Sequence, residues 1–272
     1  MKLEEGFPKI SVITPSFNQG KYLERTICSV LNQDYPDLEY IIIDGESTDK
    51  SVEVIRKYKN YLTYWVSEKD KGQSHAFNKG LREATGEIIG WINSDDLYLN
   101  RCLFQAAEYF RLHPSIDIVF SDYYYVDQND GFIKRRKEIP FNYAIYIWTG
   151  DCYHANCAGF FRKRVFERAG LLDESLHYGM DYEFYLRASR AGLKFGHVRQ
   201  YWGAYRLHGE SKSVASHELQ TRDSVNITDR FVPATASGFG RWWRKELFRV
   251  FRISWKCLLG SYPSTLKFSG MI

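Results

Sequence analysis

The sequence predicts an α/β fold in which a mostly parallel, open sheet carries helices on its faces. Three observations support this prediction. Short apolar runs rich in β-branched residues alternate with amphipathic stretches over the first 115 residues. One run and one stretch together fill about 30 residues, the length of a βαβ unit. A polar cluster follows each apolar run, as at the ends of strands in an open parallel sheet.

The pattern of each segment indicates its element. Residues 9–15 (KISVITP) form a β-branched run that ends at proline, which is typical of a buried strand. Residues 22–33 place Leu23, Ile27 and Val30 at helical spacing. The same reasoning predicts strands over residues 9–15, 40–43, 62–66 and 87–92, and helices over 22–33, 48–58, 76–84 and 100–112.

The regular alternation ends near residue 115. Residues 116–126 and 132–137 are predicted strands on either side of the turn signal Asn129-Asp130-Gly131, which indicates a hairpin. Residues 140–156 are rich in aromatics and show no clear period. A strand over 157–161 and helices over 163–169 and 181–191 complete the prediction. Because no repeat or low-complexity linker interrupts the chain, we predict one domain over residues 1–232 and a tail over 233–272.

Composition excludes several classes of protein. Apolar residues make up 44% and charged residues 26% of the 272-residue chain, so it is not disordered, collagen-like or a coiled coil. The net charge of +4 is unevenly distributed: residues 233–272 carry +6 and residues 1–232 carry −2. A mildly acidic body does not favour a nucleic acid partner.

The cellular compartment is predicted from three further features. Five cysteines are an odd number in a long chain, which favours a reducing compartment over a disulfide framework. The start MKLEEGFPK does not resemble a signal peptide, and no apolar run reaches 18 residues. We therefore predict a cytoplasmic protein. Cys152 and Cys157 flank His154, but without a fourth ligand or CxxC spacing a zinc site is the less favoured interpretation.

Four polar clusters follow the four predicted strands of the first half. Ligands of open parallel sheets bind at the carboxyl ends of the strands, so the clusters are expected to face one crevice. An aspartate at a strand end can also be only a helix cap. Four clusters at one edge nevertheless favour a binding site. They are residues 15–20 (PSFNQG), 44–49 (DGESTD), 68–74 (EKDKGQS) and 93–96 (NSDD).

The clusters indicate what kind of ligand binds. Neither GxGxxG nor GxxxxGK[ST] follows the first strand, which counts against a dinucleotide dehydrogenase and a P-loop phosphotransferase. Asp95 and Asp96 are adjacent carboxylates that repel each other. Mg²⁺ or Mn²⁺ would relieve this repulsion, typically together with substrate phosphates. The alternative is a solvated turn with a helix cap.

Four segments of the sequence form motifs that follow one another in a fixed order. They are ISVITPSFNQGKYLERTICSVLNQDYPDLEYIIIDGESTD, SEKDKGQSHAFNKGLREATGEIIGWINSDD, FFRKRVFERAGLLDESL and YGMDYEFYLR. Together they resemble glycosyltransferase family 2, over roughly residues 9–210. The resemblance implies the A-type nucleotide-sugar transferase fold, with a nucleotide-binding half over about 9–115 and an acceptor half over about 116–232.

The resemblance also implies a reaction. This is inverting, Mn²⁺- or Mg²⁺-dependent transfer from a nucleotide-diphosphate sugar, with a UDP-sugar favoured, to a saccharide or lipid-linked saccharide. The pathway would be synthesis of cell-surface polysaccharide, lipopolysaccharide or glycolipid.

The resemblance also assigns roles on the donor side. Pro15, Ser16, Phe17 and Asn18 resemble the segment that holds the nucleoside. Asp44 resembles the acid that contacts base or ribose, although Asp44-Gly45-Glu46 replaces the usual two adjacent acids and leaves the nucleotide open. Asp96 matches the metal ligand of the family's DxD-like pair, and Asp95 the contact to ribose or metal-bound water.

The resemblance also assigns roles to residues near the diphosphate, to the catalytic base and to the residues that bind the acceptor. His208 resembles a histidine near the metal or diphosphate, with a structural role equally open. Lys71 and Arg206 are candidate phosphate contacts or merely exposed charges. Asp181 matches the catalytic base, while Met180 stands where the family has a second acid, and Glu183 is the next candidate base. The predicted acceptor-binding residues are Trp148, His154 and Asn156; core packing is the alternative for Trp148.

The tail predicts an amphipathic helix over residues 241–259. Basic residues recur at i+3 or i+4, which suits an anionic membrane surface and a peripheral position on the inner face of the cell membrane. Docking of this helix on its own domain is the alternative. The basic residues are Arg241, Lys245, Arg249, Arg252 and Lys256, and the apolar ones Trp243, Leu247, Val250, Phe251 and Leu258.

Two other functions stay open at this stage. A nucleotidyltransferase can share a similar sheet and metal-binding acids, but it usually has a glycine-rich, basic loop after the first strand, which PSFNQG is not. A nucleotide-sugar-binding module without activity is the non-enzyme alternative, and the presence of Asp96 and Asp181 argues against it.

Overall fold

The computed structural model describes residues 6–209, 211, 217–232 and 238–261. In this part of the chain nine strands form one sheet with helices on both faces. The strands are β1 (Ile10–Ser16), β2 (Leu38–Asp44), β3 (Tyr64–Ser67), β4 (Ile88–Trp91), β5 (Leu97–Tyr98), β6 (Ile118–Val126), β7 (Phe132–Arg136), β8 (Gly159–Arg162) and β9 (Phe195–Arg206). The helices are α1 (Gly20–Leu31), α2 (Ser51–Tyr58), α3 (Gln73–Glu83), α4 (Cys102–Leu112), α5 (Tyr143–Thr149), α6 (Arg164–Ala169), α7 (Met180–Arg190), α8 (His217–Phe231) and α9 (Gly238–Leu258).

The sheet order is β3-β2-β1-β4-β8-β6-β9-β5, with β7 paired to β6. The first four strands are parallel, as the alternating pattern predicted. Beyond β4 the sheet is mixed: β8 runs antiparallel to both its neighbours, and β9 is parallel to β6 and antiparallel to β5. The predicted α/β class with a mostly parallel sheet and flanking helices is therefore confirmed.

The central strands are apolar on both faces because helices cover both. In β2, Ile41 and Ile43 pack on the side of α3, while Tyr40 and Ile42 pack on the side of α1. This alternation follows from the two-residue period of a strand. Strands buried on both faces give nearly continuous apolar runs, which is why residues 40–43 stand out in the sequence.

Three elements of the second half differ from the prediction. β9 was not predicted, because its exposed and buried positions mix charged and aromatic residues without a clean alternation. α5 forms where no period was visible; it begins after Asn142, whose side chain accepts from the Ile145 N–H at 3.0 Å, and ends at Gly150 with φ +69°. The strand expected over 157–161 begins only at Gly159, because residues Asn156–Ala158 form a 3₁₀ turn that packs on β9.

The C-terminal helix α9 lies against the domain. It packs on α5, and Phe248 and Trp255 contact the apolar core. The boundary predicted between residues 232 and 233 adjoins residues 233–237, which lie outside the described residues. Across the described ranges, no helix is both long enough and apolar enough to cross a membrane.

Candidate active site

The carboxyl ends of β1, β2 and β3 place three polar residues in one row. Ser16 is the register partner of Asp44, and Asp44 that of Ser67. The Asp44 carboxylate is fully buried and accepts from the Ser47 N–H at 2.9 Å, the Ser47 hydroxyl at 2.6 Å and the Ser67 hydroxyl at 2.7 Å. These contacts fix Asp44 at the floor of the crevice.

The loop after β1 is tied to the loop after β2. Asn18 has φ +51°, its N–H donates to the Ser47 hydroxyl at 2.8 Å, and its side-chain oxygen accepts from the Thr48 N–H at 2.9 Å. Phe17 next to it is exposed, while Pro15 is the last buried ring of the strand before Ser16. The predicted nucleoside segment thus presents an exposed aromatic face on a braced loop.

The third polar cluster reaches the same edge through Asp70. A Cβ added to Gly45 would lie 2.6 Å from the Asp70 carboxylate, so the absence of a side chain at Gly45 permits this approach. The Asp70 carboxylate accepts a hydrogen bond from the Gly72 N–H at 2.7 Å, and Gly72 has a φ of +113°. Lys71, between them, is exposed. The turn therefore places the Asp70 carboxylate against Gly45, the residue after Asp44, and leaves Lys71 exposed.

Asp95 and Asp96 lie on a turn after β4 that α1 and β9 hold in place. The Thr26 hydroxyl bonds the carbonyl oxygens of Ser94 at 2.9 Å and Asp96 at 2.8 Å. On the other side, the Arg206 N–H donates to Asp96 at 3.0 Å, and the Arg206 guanidinium donates to the Asp95 carbonyl at 2.6 Å.

Arg206 differs from the phosphate contact that the sequence suggested. Its side chain is fully buried, lies over the Tyr22 ring at 5.0 Å and pairs with Asp130. The guanidinium is therefore enclosed beneath the carboxylate turn, where it positions Asp95 and Asp96.

The two carboxylates differ in environment. Asp96 is buried, and burial together with the neighbouring Asp95 charge raises the pKa of Asp96 well above its ordinary value. Asp95 is partly exposed and accepts from His208 Nε2 at 3.0 Å. The His208 ring packs on Tyr22 at 4.4 Å, and its Nδ1 is buried with no hydrogen-bond partner in the described structure.

The donor set fits a hard divalent cation. Two carboxylates sit together at a buried turn, and the His208 nitrogen adds a ligand type that Mn²⁺ accepts. No group of three acidic, histidine or cysteine side chains in the described ranges could hold a metal by itself. Mg²⁺ and Mn²⁺ bound with a nucleotide use one or two carboxylates and complete their shell with phosphate oxygens and water. The pair is sufficient for that arrangement.

One cavity of about 920 Å³ extends from Gln73 and Asn93 into the second half of the chain. The Asn93 amide donates to Asp96 at 3.3 Å, and the Asn93 side-chain oxygen accepts from Gln73 at 2.7 Å. Asp181 also lines the cavity, in the first turn of α7, where a helix N-terminus favours negative charge. Asp181 is therefore in the cavity wall, and the Asp96 carboxylate is next to the cavity through its contact with Asn93.

The residues near Asp181 do not supply the second catalytic acid that the family has at this position. Met180 is buried in the apolar core. Glu183 is buried and pairs with Arg187 through contacts of 2.9 and 2.8 Å. Among these residues Asp181 and Met180 line the cavity, and Asp181 is the one with a titratable oxygen there.

The three predicted acceptor-binding residues all line the cavity, and each also contacts other side chains or backbone groups of the protein. His154 is buried: its Nε2 donates to the Ile139 carbonyl at 3.1 Å, and its Nδ1 accepts from the Tyr146 hydroxyl at 2.7 Å. Burial lowers the pKa of His154 well below its ordinary value, so the ring is neutral. Asn156 accepts from the Tyr185 hydroxyl at 2.5 Å, and Trp148 lies under the Arg244 guanidinium at 4.7 Å. Because both His154 nitrogens are engaged, they are unavailable to zinc.

Sequence reasoning did not single out Gln73, Asn93 and Asp70. All three belong to the polar clusters after the third and fourth strands, and that membership was the available signal. Their individual roles depend on side-chain contacts across the crevice, which a linear pattern does not contain.

The fold and the site define a class of protein. It is an α/β protein with polar residues at the carboxyl ends of its parallel strands, where such sheets bind ligands, and with a pair of carboxylates on the turn after β4. Residues 11–170 match the family described as Glycosyl transferase family 2. An uncharacterized glycosyltransferase of Mycobacterium tuberculosis is 31% identical over 184 residues, covering 67% of this chain and 69% of the relative. The chain belongs to glycosyltransferase family 2.

Other relatives differ in length. Chondroitin synthase of Escherichia coli is 28% identical over 229 residues, which are 82% of this chain but 32% of that protein. An uncharacterized glycosyltransferase of Rickettsia typhi is 28% identical over 205 residues, 72% of this chain and 64% of the relative. The chain thus spans about a third and just under two thirds of these two relatives.

Solved structures show the fold. S. aureus TarS 1–349 in complex with UDP-GlcNAc has a TM-score of 0.67 at 20% identity, over 95% of this chain and 77% of that one. The mannosyltransferase PcManGT from Pyrobaculum calidifontis, in complex with GDP-Man and Mn²⁺, has a TM-score of 0.62 at 18% identity, over 94% and 77%. The A-type transferase fold expected from the sequence is confirmed.

Proposed function

We propose that this protein is an inverting glycosyltransferase that moves a sugar from a nucleotide-diphosphate sugar to an acceptor hydroxyl. The observation that carries the proposal is the cavity that both Asn93, whose amide donates to the Asp96 carboxylate, and Asp181 line. Membership of the family supports a transferase over a nucleotidyltransferase. The absence of a glycine-rich, basic loop after β1 is consistent with this choice.

The donor is proposed to be a UDP-sugar. Asp44 and the loop Ser16–Asn18 would bind the nucleoside, with Phe17 offering a ring for stacking and Lys71 a cation for the phosphates. TarS binds UDP-GlcNAc, which supports uridine, whereas PcManGT binds GDP-Man. Asp70, held against Gly45, would contribute to the choice of base.

Asp96, with His208 and Asp95 beside it, would hold Mn²⁺ or Mg²⁺. Such an ion, when bound, neutralises negative charge on the leaving diphosphate. The chain itself contributes the position: the Arg206 N–H and the Asn93 amide fix the Asp96 oxygens, and Thr26 fixes the turn.

Asp181 would act as the general base. An alcohol is a poor nucleophile at neutral pH, so a carboxylate that takes its proton during attack lowers the barrier. Asp181 lines the cavity in the first turn of α7, and the helix N-terminus would favour a negative charge there. The hydroxyl then attacks the anomeric carbon from the face opposite the leaving diphosphate, which inverts the configuration.

The acceptor is proposed to be a saccharide or lipid-linked saccharide in the synthesis of a cell-surface glycan. Trp148 would pack on a sugar ring and Asn156 would bind a hydroxyl, while His154, which the Tyr146 hydroxyl holds in place, would line the same pocket. A lipid-linked acceptor would bring the enzyme from the cytoplasm to the inner face of the cell membrane.

The test is Asp181→Asn, measured with the donor and acceptor that support turnover. Asparagine has nearly the same shape but does not take the proton, so turnover should fall by about 10²-fold or more while donor affinity stays unchanged. Asp229→Asn is the matched control, because Asp229 lines the same cavity on α8 and pairs with Arg241. Turnover of Asp181→Asn within a few fold of wild type would refute the role of the base.

A donor-hydrolysis assay separates the enzyme from an inactive binding module. An enzyme should release nucleotide diphosphate slowly even without acceptor, and this release should fall when Asp96 is changed to Asn. Binding of UDP without any hydrolysis or transfer would favour the inactive module.

A further inference from the structure

The C-terminal helix α9 docks on the domain through charged residues. Glu138 is fully buried, and its carboxylate binds Lys256 at 2.8 Å, Arg252 at 3.2 Å and Arg136. Arg252 also pairs with Asp151 and lies over the Tyr153 ring at 4.3 Å. Two of the five basic residues that recur along the predicted amphipathic helix, Arg252 and Lys256, therefore point into the protein.

The opposite side of α9 is apolar and exposed. A docked amphipathic helix normally buries its apolar side chains, but here Phe248 and Trp255 contact the core while most of the large apolar side chains stay exposed. Leu247 is 55% exposed, Val250 59% and Leu258 87%. A contiguous apolar surface of this kind marks an interaction site. We call it the outer face; its large apolar side chains are Trp242, Trp243, Leu247, Val250, Phe251, Ile253 and Leu258.

Basic residues border the outer face. By the helical period, Arg244 lies at one edge of it, where its guanidinium is also over the Trp148 ring at 4.7 Å, and Arg249 lies at the other edge; both residues are exposed. At the C-terminal end of α9, Leu259 shares a smaller cavity with Arg135, Lys137 and Arg199. Apolar side chains flanked by cations, with two tryptophans at the start of the helix, suit the boundary between acyl chains and anionic headgroups.

We propose that the outer face of α9 is the surface by which this protein binds an anionic lipid bilayer. The residues at the boundary are expected to extend their charged ends to the headgroups while the apolar side chains enter the acyl region. The sequence predicted an anionic membrane surface as a partner of this helix, and the structure narrows which basic residues can face it, because Arg252 and Lys256 bind Glu138. The inference deepens the proposed function and rests on it for the nature of the acceptor.

A second copy of this chain fits the outer face less well than a bilayer. In a symmetric dimer the same patch would meet itself, which brings Arg244 and Arg249 of both copies to one boundary. Like charges placed together oppose that association. An anionic surface removes this cost and attracts these exposed arginines.

The position of α9 connects the bilayer to the proposed reaction. Arg241, Trp242 and Lys245 line the large cavity as well as belonging to α9. A bilayer on the outer face therefore lies beside the mouth of the acceptor side. A saccharide carried on a lipid phosphate could extend from the headgroup layer past these residues toward Asp181.

The experiment compares two exposed leucines. Leu247→Glu places a charge at the centre of the outer face, and Leu112→Glu places the same charge at an equally exposed leucine, 58% accessible, at the end of α4. The probe is co-sedimentation with phosphatidylglycerol–phosphatidylcholine vesicles and with phosphatidylcholine alone. Wild type should prefer the anionic vesicles, Leu247→Glu should lose about tenfold or more of its partition, and Leu112→Glu should match wild type.

Each other outcome overturns the proposal. Equal binding of wild type and Leu247→Glu, or equal loss in Leu112→Glu, removes the outer face from the interaction. A dimer in analytical ultracentrifugation that Leu247→Glu dissociates, without vesicle binding by wild type, assigns the face to a second copy. Val250→Glu repeats the test at an independent site. UDP binding, measured without vesicles, tests the proposed function separately.

Discussion

Glu138 neutralises three neighbouring cations, and a substitution of the same shape, Glu138→Gln, would remove that neutralisation. Its carboxylate has no exposed surface and meets Arg136, Arg252 and Lys256. Glu138→Gln keeps the shape and removes the negative charge, so three enclosed cations lose their shared partner. Removing one partner from a buried ion pair costs about 3–5 kcal/mol. At about 2–4 °C per kcal/mol for a chain of this size, the melting temperature should fall by about 6–20 °C.

Lys256→Met provides the contrast within the same cluster. Burial lowers the pKa of Lys256 to about 8. Desolvation therefore destabilises the ammonium ion by more than the attraction of Glu138 stabilises it. Methionine fills similar volume without a charge, and Glu138 retains two arginines. The expected change in unfolding free energy is within about 1 kcal/mol of wild type.

The sign of the pH dependence follows from the same group. The pKa of Lys256 is lower in the folded chain than in the unfolded chain, so its ionised form opposes folding below about pH 8. This cost disappears as the pH rises from about 8 to about 10.4, the unfolded value. Calorimetric melting of wild type and both variants from pH 7 to 10 measures all three effects. Equal melting temperatures for Glu138→Gln and Lys256→Met would refute the assignment of Glu138 as the centre of the cluster.

Two further predictions concern the donor site and the frame that holds it. UDP affinity should fall about tenfold or more when EDTA removes divalent cations, because Asp95 and Asp96 would then face phosphate with like charge; equal affinity in calorimetry with and without chelator contradicts the metal role. Gly203→Ala should destabilise the protein by about 1–3 kcal/mol or more in urea unfolding, because its Cβ would lie 2.1 Å from the Cys157 carbonyl oxygen. Unchanged stability would mean that the 3₁₀ turn at Cys157 shifts freely.

The positions of the donor-side residues were largely predictable, because β1 to β4 are parallel and the carboxyl ends of parallel strands lie at one edge of the sheet. Residues at the ends of β1 to β4 had to meet at one edge, so the sequence alone was enough to place Asp44 and the pair Asp95-Asp96 there. The contacts that fix them were not predictable. Ser67 and Thr26 bind these acids from other elements, and such pairings follow from register and helix rotation.

The second half was harder because its strands do not follow chain order. β8 lies between β4 and β6, and β9 between β6 and β5. Without β9, the burial of Arg206 under the carboxylate turn had no basis in the sequence. The orientation of α9 was missed for a related reason, since Glu138 precedes a segment without visible period and gave no sign of binding a helix 118 residues later.

The pairing of β9 with β5 sets an order of events during synthesis of the chain. Asp96 and the Arg206 N–H that binds it are 110 residues apart. At about 5–20 residues per second, translation needs about 5–20 s to cover that interval. Throughout it, the carboxylate turn has been made but lacks its supporting strand β9, and until residue 162 has been made the apolar edge of β4 also has no β8 beside it. The nascent first half is therefore expected to depend on chaperones, and the donor site to form only after residue 206 has left the ribosome.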